Sequence, residues 1–178
     1  MPDAVRGPAR AVTAGGFRIP ARSAKCLWEG LMAGFEITQE LDVSATQIYS
    51  IIADTGTWGE WFMMHDGFLE DPPEHMTVNS KLVQSIRMLG MTHRLELTIT
   101  AFKPPMQLVF SGSSPAGVSC EFSFGIQRVP GGCSLTIAGD FAGPMVNGQL
   151  GQVIERDARQ LLTDSMHKLE AMTGSAGR

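Results

Sequence analysis

Residues 144–172 read PMVNGQLGQVIERDARQLLTDSMHKLEAM, and this stretch decides the fold. Leu150, Ile154, Ala158, Leu161, Ser165 and Leu169 recur at spacings of three and four, while Arg156, Arg159, Gln160, Asp164 and Lys168 fall elsewhere. That pattern predicts one long amphipathic helix. Pro144 suits its first turn, where a missing N–H costs nothing. A helix of this length spans about 40 Å at ~1.5 Å per residue, enough to cross a small domain. Gly143, Gly148 and Gly151 cluster at its start, and each lowers helix propensity by ~1 kcal/mol relative to Ala, so the first turns are expected to be loosened. Such a helix needs a broad apolar surface to lie on.

The preceding segments provide that surface. Phe35, Ile37, Leu41 and Val43 alternate with Glu36, Thr38, Glu40 and Asp42, which predicts a half-buried strand. Ser44 is a suitable N-cap for a short helix carrying Ile48, Ile51 and Ile52, ended by Asp54-Thr55-Gly56. A second helical turn is expected around 57–62, bearing Trp58, Trp61 and Phe62. Pro72 and Pro73 make at least part of 65–79 a loop.

Strands are then expected over 81–89, 91–102, 106–112, 117–128 and 132–142, separated by short Gly/Pro-bearing connections that favour antiparallel pairing. His93, Leu95, Leu97 and Ile99 oppose Arg94, Glu96, Thr98 and Thr100. Cys120, Phe122, Phe124 and Ile126 oppose Ser119, Glu121, Ser123 and Gln127, and Cys133, Leu135, Ile137 and Phe141 repeat the pattern. One dry and one wet face per strand defines an antiparallel sheet whose dry face the terminal helix covers, an α+β architecture.

The chain has 178 residues, 43% hydrophobic and 18% charged, a globular composition. Its net charge of −4 is unevenly spread. Residues 1–31 carry five Lys/Arg against two Asp/Glu, a balance of +3, leaving nine against sixteen, −7, for the remainder. An acidic domain without a basic stripe argues against broad nucleic-acid contact. No apolar run approaches the ~20 residues of a membrane span. Cys26, Cys120 and Cys133 show no framework spacing and read as free thiols in a reducing, cytoplasmic setting. Residues 1–31 lack apolar periodicity and are expected to be either a disordered arm or sequence upstream of a start at Met32.

This element order, with Trp58-Gly59-Glu60-Trp61 after the first helix, resembles the START / polyketide cyclase-like (SRPBCC) superfamily. Residues Leu89-Gly90-Met91-Thr92-His93-Arg94-Leu95 through Phe102-Lys103-Pro104-Pro105 look like a bacterial branch in which some members are labelled toxins of type II toxin–antitoxin pairs. The resemblance covers about 32–174, leaving a tail at 175–178. It implies the helix-grip fold, a curved antiparallel sheet wrapped around a long C-terminal helix with two short helices after the first strand. It also implies an apolar cavity for a lipid-, quinone- or polyketide-like ligand, with polyketide cyclase or dehydratase chemistry as one alternative and a toxin with an antitoxin partner as another.

Candidate ligand contacts are Trp58, Trp61, Phe62, His65, His93, Leu95, Leu97, Phe110, Phe122, Phe141, Met145, Ile154 and Ala158. Leu150 sits on the same stretch of helix. A filled core explains the apolar members equally. The eleven Met residues suit a pliable binding surface or an irregular core. His93, heading an apolar strand face, and His65, after the Trp segment, are the candidates for orienting a carbonyl or acting as a base; a structural histidine is the alternative for each. Asp66, Glu70, Asp71, Glu74 and His75 match no metal-loop spacing, so neither metal nor cofactor is expected. Packing of the long helix against a second copy of the chain is also compatible with its pattern.

Overall fold

A computed structural model describes residues 32–175. The expectations for residues 1–31, Cys26 among them, and for the end of the tail at 176–178 lie outside the described residues.

Seven strands form one antiparallel sheet in the order β1-β7-β6-β5-β4-β3-β2. They are β1 Met32–Leu41, β2 His65–Phe68, β3 Lys81–Met88, β4 Met91–Lys103, β5 Gln107–Ser113, β6 Ser119–Val129 and β7 Gly132–Ala142. Helices α1 Ala45–Ala53 and α2 Trp58–Trp61 follow β1, and α3 Gly148–Ser175 closes the chain. Register shifts between His65 and Gly67 and between Ile99 and Ala101 interrupt the ladders; such bulges bend strands. The outcome is the helix-grip fold, a curved sheet around a long terminal helix.

Local chemistry sets the elements. Ser44 caps α1 through a reciprocal box: its hydroxyl accepts from the Gln47 N–H, and the Gln47 amide oxygen accepts from the Ser44 N–H, both at 3.2 Å. Trp58 is fully buried because its indole N–H also finds a partner, the Ile52 carbonyl at 2.9 Å. The Met63 N–H donates to the Ser165 hydroxyl at 2.9 Å and so ties the end of α2 to α3. On the edge strand β1, the Glu36 carbonyl accepts from the Arg159 guanidinium, so α3 also covers an otherwise open sheet edge.

Part of 65–79 is loop, as expected, and its first four residues form β2, too short and too glycine-marked to show a period. Two expectations need correction. Helix α3 does not begin at Pro144. Residues 143–147 form a turn closed by the Val146 N–H on the Gly143 carbonyl, and Gly148 stands at φ +51°, a left-handed geometry that a continuous helix cannot contain. Finally, the helix buries Ile154, Ala158, Leu162, Ser165, Met166 and Leu169, whereas Leu161 is only half-buried and Leu150 is exposed. The 154-158-162-166 row follows i, i+4, and the adjacent 165-169 row completes the stripe.

Candidate functional site: an apolar cavity at the start of the terminal helix

The layers between sheet and helix are filled at one end and open at the other. At the filled end, Trp58, Trp61, Phe62, Phe110, Phe122 and Phe124 interlock, with ring centroids such as Trp61–Phe62 at 5.2 Å and Phe110–Phe122 at 5.7 Å. Phe141 meets Phe122 edge-on at 5.6 Å and ends this cluster. Beyond Phe141 lies a cavity of about 190 Å³. That exceeds the roughly 150 Å³ of an engineered apolar cavity able to take up benzene.

Each wall comes from a different element. The β3–β4 hairpin contributes Ile86, Met88, Leu89, Met91, His93 and Leu95; the β5–β6 connection contributes Ser114, Ala116 and Val118. Phe141 ends β7, Met145 and Val146 belong to the turn before α3, and Leu150 and Ile154 belong to its first turns. Ile86, Leu95, Phe141 and Val146 are buried and form the floor, while Met91, Met145 and Leu150 are exposed and rim the opening. His93 and Ser114 are the polar side chains in the wall. Ser114 is held by its own loop: its N–H donates to the Val118 carbonyl at 2.8 Å, and its hydroxyl accepts from the Val118 N–H at 3.4 Å.

The hairpin tip is a two-residue turn, since Met88 pairs directly with Met91. Leu89 and Gly90 both have positive φ, +54° and +73°, as a type I′ turn requires. The Leu89 N–H donates to the Asp157 carboxylate at 2.7 Å, so α3 fixes the tip over the cavity.

Of the residues expected from sequence, the structure brings His93, Leu95, Phe141, Met145 and Ile154 together around this cavity. Trp58, Trp61, Phe62, Leu97, Phe110, Phe122 and Ala158 are instead buried in the packed interior. His65 stands apart from the cavity wall. Its Nδ1 lies 2.6 Å from the amide oxygen of the fully buried Gln84, and its ring rests 4.5 Å from Phe68. Val118 heads the inward alternation of the strand expected over 117–128 and Met88 is one of the methionines suited to a pliable surface, whereas nothing in the sequence pattern marks Ile86, Leu89, Ser114, Ala116 or Val146 as wall residues. The pairing of β3 with β4 and of β5 with β6 brings the hairpin and the 114–118 loop to the cavity.

Among the described residues, no three His, Cys, Asp or Glu side chains converge as a metal site would need. Asp66 pairs with Arg87 at 2.7 Å and Glu70 with Arg94 at 3.3 Å, so two of these carboxylates are engaged in surface ion pairs. Burial pushes the Cys120 thiol up to about 12 and raises Cys133 as well, so both stay protonated, unlike an activated nucleophile. No helix among the described residues is long and apolar enough to cross a membrane.

A curved sheet gripping a terminal helix around an apolar cavity defines a START-like protein, and the comparisons agree. The chain belongs to the family described as polyketide cyclase / dehydrase and lipid transport, whose model matches residues 32–172. It is 22% identical over 143 residues to an uncharacterized protein, Rv1546, of Mycobacterium tuberculosis, covering 80% of this chain and all of that one. A second relative in the same organism, named toxin Rv0910, is 21% identical over 114 residues, covering 64% of this chain and 79% of that one. Among solved structures, ginseng major latex-like protein 151 from Panax ginseng superposes with a TM-score of 0.63 at 13% identity, over 80% of this chain and 98% of that chain. That likeness is one of fold.

Proposed function

We propose that this protein binds a small hydrophobic molecule, lipid-, quinone- or polyketide-like, in the cavity beside the start of α3. The observation that carries this reading is a cavity of about 190 Å³ whose wall is apolar except for His93 and Ser114 and whose rim is open. Burying an apolar ligand there would gain about 25 cal/mol per Å² removed from water. His93 and Ser114 would orient one polar group of it. Membership of a family described by cyclase, dehydrase and lipid transport supports the same reading. Calorimetry and native mass spectrometry with fatty acids, quinones and aromatic polyketides test it. Saturable one-to-one binding that raises the melting temperature is expected. No uptake of any of the panel, with Ile154→Trp melting higher because it fills an unused void, would discard it.

A second reading is cyclase or dehydratase chemistry, favoured by the position of the His93 imidazole in the wall of the cavity. An imidazole nitrogen there would serve as the base for a ligand carbon or hydroxyl within reach. His93→Ala would then abolish turnover of a bound polyketide with little change in melting temperature, and full activity of that variant would remove the role. The identity with a relative named toxin favours a third reading, a toxin neutralised by a partner protein. Growth of a host expressing this chain with and without its neighbouring gene tests that; equal growth at matched protein levels rules it out.

A further inference from the structure

The β3–β4 turn departs from the residue preference of its own geometry. Type I′ hairpin turns hold both central residues at positive φ, and Asn-Gly or Asp-Gly are the usual occupants. Here the first position is Leu89, at φ +54°, where a branched apolar side chain is unfavourable. Residues that break a local rule concentrate at functional sites, where the cost is retained for what the side chain does. Leu89 is only half-buried, so it lacks the full core burial that could offset the turn by itself. Its side chain walls the cavity between Met88 and Met91, and its N–H is fixed by Asp157 at 2.7 Å.

We propose that Leu89 is a ligand-contacting residue, kept in a left-handed turn at a cost in stability because the cavity needs its isobutyl group at that point. This rests on the ligand-binding reading of the cavity. Asn at the same place would suit the turn but would set an amide against an apolar ligand. Gly would suit the turn and leave the wall open.

Leu89→Gly and Leu89→Ala separate the two halves of the idea. Both remove the wall, but only Gly relieves the left-handed strain. The probe is N-phenyl-1-naphthylamine, followed by fluorescence titration of the full chain, with thermal unfolding measured alongside. The expected result is a dissociation constant at least fivefold higher in both variants, with Leu89→Gly melting above Leu89→Ala. Binding within twofold of the unsubstituted protein in either variant would overturn the contact. A Leu89→Gly protein that melts no higher than Leu89→Ala, or fails to fold, would overturn the strain. Failure of the unsubstituted protein to bind the probe is a different result: it counts against the cavity as a ligand site and withdraws the ground on which Leu89 is assigned.

Discussion

The carboxylate of Asp157, on α3, accepts a 2.7 Å hydrogen bond from the backbone N–H of Leu89, at the tip of the β3–β4 hairpin. The two residues are 68 positions apart, and Leu89 itself lines the cavity. The bond joins the β3–β4 hairpin, the largest contributor to the wall, to the helix that supplies Leu150 and Ile154.

Asp157→Ala should therefore cost about 1–2 kcal/mol, within the range for a hydrogen bond to a charged group once partial exposure is allowed for. Urea denaturation would measure the loss, and amide exchange at Leu89 should accelerate with it. Asp157→Asn keeps an acceptor oxygen and should lose less. A substitution-insensitive exchange rate would mean that the hairpin holds its position without the helix.

Gly139 faces the Phe35 ring, which occupies the place a Cβ would take. Gly139→Ala overpacks a site with no room and should destabilise by about 1–3 kcal/mol. Phe35→Leu in the same background should recover part of that loss in thermal unfolding. Additive losses would show that the two positions do not share the space.

Alkaline pH should weaken the fold. Burial pushes the Cys120 thiol from its ordinary 9.0 up to about 12. Above pH 9 the unfolded chain releases this proton while the folded chain keeps it, so stability is intact below pH 9 and falls between 9 and 12. The slope for one group is at most ~1.4 kcal/mol per pH unit. Burial raises the Tyr49 hydroxyl from 10.0 to about 12, adding to the fall at the upper end. Urea midpoints between about pH 8 and about pH 10.5 should shift downward, and Cys120→Ala should flatten the first part of that decline.

Glu121 and Asp140 lie directly opposite one another on β6 and β7. Partial burial, and then the Asp140 charge, raise the Glu121 carboxyl above its usual range. A raised carboxyl favours the folded state at low pH and loses that contribution as pH rises through its folded value. Glu121→Gln should thus stabilise by about 0.2–1 kcal/mol near neutrality, the scale of a like-charge cross-strand pair. The gain should shrink as the solution is acidified, a trend readable from melting temperatures across that range.

Residues 144–152 should exchange their amides faster than 160–170. The first group comprises a turn anchored only by Val146, the left-handed Gly148 and the barely started helix, whereas the second packs through Leu162, Ser165, Met166 and Leu169. Local opening is easiest where few apolar contacts must be broken. A bound ligand touching Met145, Leu150 and Ile154 should slow the first group selectively.

Much of the fold is legible in local patterns because it follows from local periods. Alternation along 91–102 and 117–128 marks which side chains turn inward, and Ser44 with Gln47 marks where α1 begins. The spacing of Ile154, Ala158, Ser165 and Leu169 marks the gripped helix. Where the pattern is short or strained, it is silent. Four residues of β2 are too few to show a period, and the start of α3 depends on the backbone angle of Gly148.

The site is where pattern and packing part. Leu95 and Leu97 are adjacent inward positions of one strand, yet one walls a cavity and the other lies in solid core. Phe122 and Phe141 are both inward aromatics, and only Phe141 borders the opening. Period-two alternation reports the face a side chain occupies, a property of its own strand. Whether that face meets another side chain or a void depends on how far apart the layers stand there. That depends on tertiary packing: the aromatic residues of α2 fill one end, and the other end is walled by residues from the β3–β4 hairpin, the β5–β6 connection and the start of α3. The sequence alone thus determined the six longer strands, their inward faces and the gripped helix. Only the tertiary structure decided where those faces fail to meet.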